Sequence, residues 1–337
     1  MSDQAAPVAL AKADIESLAT QITELAGTDE AFESIRDRVV ALQSVGDGFY
    51  ARYCRRVRGS GKLVYLPVEA FKLGDVTFGD RAPEEVFESS GTTGSARSRH
   101  LVGDRSLYQR SIVKSFRRFF GDSDTIVLGH LPGYVESGGR SSLVFMVDHL
   151  VSELGVGPSG LFVDDTTRLY EAVHYSKLHG IRIVLFGAAF GLLDLSEQLS
   201  LTLPPDAVVV ETGGMKMRRR EIARGVLHER LATAFGVKRR QIWSEYGMTE
   251  LLSQAYATGD EWYSTPPWMR VEIVDPVDPE RKLNDGEEGA IAIVDLANVY
   301  SACAVLTRDK GVKTDDRFKV LGRLPGVDDR GCNFLLE

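Results

Sequence analysis

Apolar residues in the first sixty positions recur at three- and four-residue spacing. Ile15, Leu18, Ile22 and Leu25 fall on one helical face, and Phe32, Ile35, Val39 and Leu42 repeat the pattern. Gly46-Asp47-Gly48 breaks the chain, and a third helix carries Phe49, Tyr53 and the basic run from Arg55 to Arg58 as a solvated end. The period then changes. Residues 62–68 and 76–78 read as short extended pieces punctuated by proline and glycine. After a polar stretch, residues 107–120 predict a helix with Asp104 as its N-cap. Short apolar runs at 125–130, 181–186 and 207–210 predict buried strands. Between and after them lie helices over 142–150 and 217–235, the latter with Ile222, Val226, Leu231 and Phe235 on its inner face, and a turn at 187–191. Strand, loop and helix in that order predict an α/β fold of layered sheets and helices. From Pro266 the chain becomes β-rich, with strands at 271–274 and 290–294. The expected regions are a helical N-terminal segment (1–60), an α/β core (61–264) and a β-rich C-terminal part (265–337).

Composition narrows the classes. The 337 residues are 43% hydrophobic and 26% charged, which suits a globular chain with a sizeable core. A net charge of −8 speaks against a nucleic-acid binder and against adhesion to anionic membranes. The longest apolar run, 183–193, contains two glycines and is too short for a membrane span. The start lacks a basic, then apolar, leader, so a cytoplasmic location is expected. Three cysteines without a CxxC suggest neither a disulfide framework nor a zinc site, and Cys54 reads as a buried structural thiol.

Two stretches carry chemistry. The first is Ser89-Ser90-Gly91-Thr92-Thr93-Gly94, followed by Arg97, Arg99 and His100. Glycines free the backbone so that successive N–H groups can cradle an anion, and hydroxyls and guanidinium groups add donors. The stretch fits a polyphosphate cradle or a polar surface loop, and it is not a Walker A loop. The second is Ser244-Glu245-Tyr246-Gly247-Met248-Thr249-Glu250. Tyr246 offers an aromatic face, Thr249 a hydroxyl, and Glu250 a hard carboxylate suited to Mg²⁺. Gly213-Gly214, after a predicted strand, either admits a flat ligand or makes a tight strand-to-helix turn. His130, at the end of another strand, is a structural histidine or a substrate contact.

Both stretches resemble motifs of the adenylate-forming enzymes, the acyl-CoA synthetase and adenylation-domain superfamily. Ser-Ser-Gly-Thr-Thr-Gly is similar to their phosphate loop, with Arg97 and Arg99 near the place of its usual lysine. Tyr246 to Glu250 resembles their Tyr-Gly-x-Thr-Glu. Thr307-Arg308-Asp309-Lys310-Gly311 resembles their ribose-binding Thr-Gly-Asp-Leu-Gly with Arg308 in place of glycine, and Gly322-Arg323 resembles the Gly-Arg of their interdomain hinge. Only 337 − 323 = 14 residues follow Arg323, so the usual C-terminal lid domain and its lysine are expected to be lacking. Residues 211–216, 244–254, 295–298 and 330–333 look like one branch, the LuxE-type acyl-protein synthetases.

The resemblance implies ATP-dependent activation of a carboxylic, fatty acid to an acyl-adenylate, followed by acyl transfer to a protein thiol. It implies ATP and Mg²⁺ as cofactors and an acyl-accepting reductase or carrier protein as partner. It assigns phosphate binding to residues 89–94 and Arg97, adenine to Gly213, Gly214 and Tyr246, and the α-phosphate to Thr249. Mg²⁺ falls to Glu250, ribose to Asp309 and Arg323, and acyl transfer to Cys332. Two alternatives stay open: an acyl-CoA or acyl-carrier ligase, and a non-catalytic nucleotide-binding subunit of a reductase complex.

Overall fold

The computed structural model describes residues 5–57, 63–79, 81–89, 97–135, 140–199, 201–213 and 222–324. In chain order the elements are α1 (Ala5–Ile22), α2 (Asp29–Gln43), α3 (Phe49–Arg56), β1 (Leu66–Pro67), α4 (Ala70–Leu73), β2 (Glu85–Glu88), β3 (Arg99–Val102) and α5 (Arg105–Phe120). Then follow β4 (Thr125–His130), α6 (Ser142–Leu154), β5 (Gly160–Phe162), α7 (Thr167–His179), β6 (Arg182–Ala188), α8 (Ala189–Gln198), β7 (Val208–Thr212) and α9 (Arg224–Phe235). The last are β8 (Ile242–Tyr246), β9 (Ala255–Ala257), β10 (Tyr263–Ser264), β11 (Met269–Val274), β12 (Glu288–Asp295), β13 (Ala304–Thr314) and β14 (Arg317–Arg323).

The chain divides into two compact units. One draws on residues 1–111, 248–253 and 265–337, the other on 112–247 and 254–264. In the first unit, β11, β12, β13 and β14 form an antiparallel meander, and β1 adds to β13 in parallel. β2 and β3 form a separate hairpin, Phe87 facing His100 across it. Ile15, Leu18 and Ile22 of α1 and Phe32, Ile35 and Val39 of α2 are buried, as their spacing predicts. Thr28 caps α2 by accepting from the Ala31 N–H at 3.3 Å. A second cluster packs Tyr50 and Cys54 of α3 against Leu66, Phe71, Ala302 and Val305, so Cys54 is a buried thiol.

The second unit is built on a sheet in which β8, β7, β6, β4 and β5 run parallel, with β9 and β10 added antiparallel at the β8 edge. The parallel strands read as unbroken apolar runs because helices cover them. Leu169 and Val173 of α7, Leu192 and Leu195 of α8, and Leu227, Leu231 and Phe235 of α9 pack on Ile126, Leu128, Ile183, Leu185 and Val209. Asp104 caps α5 as predicted, accepting from the Leu107 N–H at 2.9 Å.

Three local expectations need correction. Residues 76–78 join no strand; the Phe78 N–H donates instead to the Tyr300 carbonyl at 2.8 Å. There is no turn at 187–191, because β6 runs to Ala188 and α8 starts at Ala189. Those glycines serve close packing: a Cβ on Gly187 would lie 2.5 Å from Leu192, and one on Gly191 2.7 Å from Pro132. Val226 is 47% exposed, not buried; α9 begins at Arg224, so Leu227, Leu231 and Phe235 set its inner face.

Candidate functional site

In the first unit, β2 ends beside Ser89 and β3 begins after Ser98. The Ser89 N–H donates to the Ser98 carbonyl, and the Ser98 N–H donates to Ser89 Oγ, both at 3.0 Å. Ser90, Gly91, Thr92, Thr93 and Gly94 lie outside the described residues. Arg97, half of its side chain exposed, lies 3.7 Å from Glu88.

Glu250 stands at the root of this hairpin. The residue is 6% exposed. Burial raises its carboxyl above the usual range, while a hydrogen bond from Ser98 and the nearby Lys72 ammonium oppose that rise. The serine that closes the hydroxyl-rich stretch thus touches the carboxylate singled out in the second one.

The backbone around Glu250 is clamped from four sides. His100, fully buried, donates from Nδ1–H to the Thr249 carbonyl at 2.8 Å, and Ser301 lies 3.0 Å from Nε2. A carbonyl only accepts, so Nδ1 carries the proton. Burial holds the imidazole neutral, its pKa lowered to about 4. Asn298 donates to the Glu250 carbonyl at 2.8 Å. Ser111 donates to the Leu252 carbonyl at 2.8 Å. Asp295, with no exposed surface, accepts from Leu252 N–H (2.9 Å), Ser253 hydroxyl (2.6 Å) and Ala297 N–H (3.1 Å). Its carboxyl is pushed up to about 6 by burial.

Asp309 and Arg323 face each other across β13 and β14, and Arg323 Nε lies 3.2 Å from Asp309 Oδ1. Both residues are strand positions rather than turn residues. Arg308, at the motif's usual glycine, points away and pairs with Glu69. Among the described residues no three His, Cys, Asp or Glu side chains gather as a metal cluster. A divalent ion at Glu250 would have one protein carboxylate, and Mg²⁺ on nucleotide phosphates takes such a ligand set.

In the second unit the carboxyl ends of β7 and β8 lie side by side, Glu211 opposite Ser244 and Thr212 opposite Glu245. Ligands of parallel α/β sheets gather at such ends. Glu211, 3% exposed, is matched by Ser244 and by Arg224, whose Nε lies at 3.2 Å; His228 Nε2 is 3.5 Å away. Gly213 has φ +74, and a Cβ there would lie 2.6 Å from the Tyr134 hydroxyl. The positive φ is what calls for glycine here. Gly214 lies outside the described residues. Tyr246 is buried with its ring 5.8 Å from that of Tyr263. His130 is buried against Phe162, and burial lowers its pKa. Cys332 lies outside the described residues.

Sequence reasoning named Thr249 and Glu250 but overlooked Ser98, His100 and Ser111 as their supports. β3 carries one signal: Arg99 is exposed, and His100, Leu101 and Val102 after it are buried.

No family model and no curated protein matches this sequence. Solved structures do match. A 2-hydroxyisobutyryl-CoA ligase with 2-HIB-AMP and CoA in its thioesterification state is similar at TM-score 0.61 and 15% identity, covering 89% of this chain and 68% of that one. The same ligase in its postadenylation state with R3-HIB-AMP gives TM-score 0.59 and 14% identity, covering 88% and 68%. ATP-bound MatB from Rhodopseudomonas palustris gives 0.51 and 16%, covering 71% of this chain, which spans 47% of the MatB chain, about half its length. Among the described residues no helix is long and apolar enough to cross a membrane. The mixed α/β architecture and these likenesses together give this chain the fold of the adenylate-forming enzymes.

Proposed function

We propose that this chain activates a carboxylic acid with ATP. A carboxylate oxygen attacks the α-phosphorus, the bond to pyrophosphate breaks, and an acyl-adenylate forms. The observation that carries the reading is the buried Glu250 carboxylate, hydrogen-bonded by Ser98 at the root of the hydroxyl-rich hairpin. Negative charge concentrates on the phosphates in this reaction, so preorganised donors and a divalent cation lower its barrier. Mg²⁺, held by Glu250 and the phosphate oxygens, would supply that neutralising charge. Residues 89–94 and Arg97 bind the outer phosphates, and Thr249 binds the α-phosphate. Gly213, Gly214 and Tyr246 receive adenine, and Asp309 with Arg323 receives ribose.

The acceptor in this reading is Cys332. Its thiolate attacks the acyl carbonyl, the mixed anhydride bond breaks, and AMP leaves, so the thioester can pass to an acyl-accepting reductase or carrier protein. Arg330, two residues away, favours the thiolate. The resemblance to the acyl-protein synthetases supports this role and makes a fatty acid the first substrate class. The CoA-bound ligase of like fold favours a second acceptor, coenzyme A. The test is incubation with ATP, Mg²⁺ and a labelled acid, followed by mass analysis of the denatured protein. A hydroxylamine-sensitive adduct lost in Cys332→Ser, with acid-dependent ATP–pyrophosphate exchange retained, is expected. Exchange without any adduct moves the acceptor to coenzyme A or a carrier. No exchange with any acid removes the activation reading.

A further inference from the structure

Nucleotide chemistry leaves one group in the second unit unexplained. Glu245 stands on β8 beside Thr212, whose hydroxyl donates to Glu245 Oε2. Alternation places Trp243 on the same face, and Phe120 packs on Trp243 with ring centroids 4.9 Å apart and on Tyr256 at 5.3 Å. Tyr256 is the residue opposite Glu245 on β9. A carboxylate thus ends an otherwise aromatic surface.

The contrast with its neighbour is sharp. Glu211, one position earlier on β7 and on the other face, has Arg224, His228 and Ser244 around it. Among the described residues no Lys, Arg or His pairs with Glu245. Burial lifts its carboxyl to about 7. A second acceptor lies close by. Gln254 is 4% exposed, and its amide oxygen has no hydrogen-bond partner. Both side chains border the bare Cα of Gly247: a Cβ there would collide with Glu245 Oε1 and lie 3.5 Å from Gln254 Cγ. Glu245, half-buried, accepts from the Thr212 hydroxyl, whereas the buried Gln254 Oε1 has no donor among the described residues; a buried acceptor without a donor is costly and rare and implies a partner of some kind.

We propose that Glu245 and Gln254 read a second polar group on the acid: the substrate carries a hydrogen-bond donor, ammonium or hydroxyl, besides the carboxylate that is activated. The inference rests on the activation reading above and narrows its acid class. A site built to bind a donor rejects analogues that lack one, because its own buried acceptors are then left unpaired.

The experiment uses the full chain with ATP and Mg²⁺ and measures pyrophosphate exchange with three sets of chain-matched acids: unsubstituted, hydroxylated and amino-bearing. Wild type is expected to favour a donor-bearing set by on the order of a hundredfold in kcat/KM. Glu245→Gln keeps an acceptor and the shape. It is expected to erase a preference for ammonium and to spare one for hydroxyl, which separates the two donors. Glu245→Leu is expected to erase both preferences, with circular dichroism confirming its fold; if it does not fold, Gln254→Leu reads the same loss. Unsubstituted acids exchanging as well as the others in wild type overturn the proposal and leave carboxylate activation standing, as does a ranking that neither variant alters. Absence of exchange with all three sets overturns both readings together.

Discussion

Asp295→Asn has an effect whose size depends on pH in a calculable way. Asp295 accepts three hydrogen bonds under the Thr249–Glu250 segment and has no exposed surface. Burial raises its pKa from 3.8 to about 6. Between these values the folded state holds a proton that the unfolded state has released, so stability falls as pH rises, and the cost is fully present above about 6. At 1.36 kcal/mol per pH unit, that cost grows by about 2 kcal/mol between pH 4.5 and 7.5. Asparagine has no charge to bury. It keeps one acceptor and turns its NH₂ toward the Leu252 N–H, leaving a buried donor unpaired at about 1–3 kcal/mol. The variant is therefore expected to be less stable than wild type at pH 4.5 and nearly level with it at pH 7.5. Urea unfolding of both proteins at both pH values measures the gap, and all other titrating groups cancel in the comparison. A gap unchanged between the two pH values refutes the reasoning, because Asp295 would then titrate normally in the folded protein.

Three further outcomes follow from the same geometry. His100→Phe leaves the Thr249 carbonyl without its donor, for about 1–3 kcal/mol at pH 7.5; wild type loses stability as pH falls from 6.5 toward about 4, so the gap should shrink on acidification in urea titrations. Glu250→Gln should strongly reduce exchange, and the acidic limb of wild-type kcat/KM should lie above the ordinary carboxylate range, since burial raises Glu250; a limb retained by the glutamine variant would assign it to another group. Asp309→Ala should weaken ATP binding by about 1.5–3 kcal/mol in calorimetry, and unchanged affinity in the folded variant would remove Asp309 from the ribose role.

Much of the second unit was legible because its strands are continuous apolar runs: 125–130 matches β4 residue for residue. The helices of the N-terminal region were equally plain from their spacing. What the sequence hid was long-range and polar. Nothing local marks Ser98 as a partner of Glu250, or Gln43 as the donor to the Asn298 carbonyl 255 residues away. Gly187 and Gly191 read as a turn because sequence gives a glycine's freedom, not the side chain that crowds it. Glu245 lies within the second motif, yet only its place beside Thr212 and the unpartnered Gln254 amide oxygen gives it a separate meaning.

The pairing of Asp309 with Arg323 ties two motif residues to one hairpin, and this constrains how the chain can change in length. Residues 309–314 of β13 each have a counterpart on β14, from Thr314 and Arg317 beside the tip to Asp309 and Arg323, with one register shift between Lys310 and Gly311. A single residue inserted within one arm, between Arg317 and Arg323, would slip the register by one and turn Arg323 to the opposite face unless a new bulge absorbed it. One residue added to each arm would preserve the partnership. Length variation within the strands of this hairpin should therefore come in matched pairs.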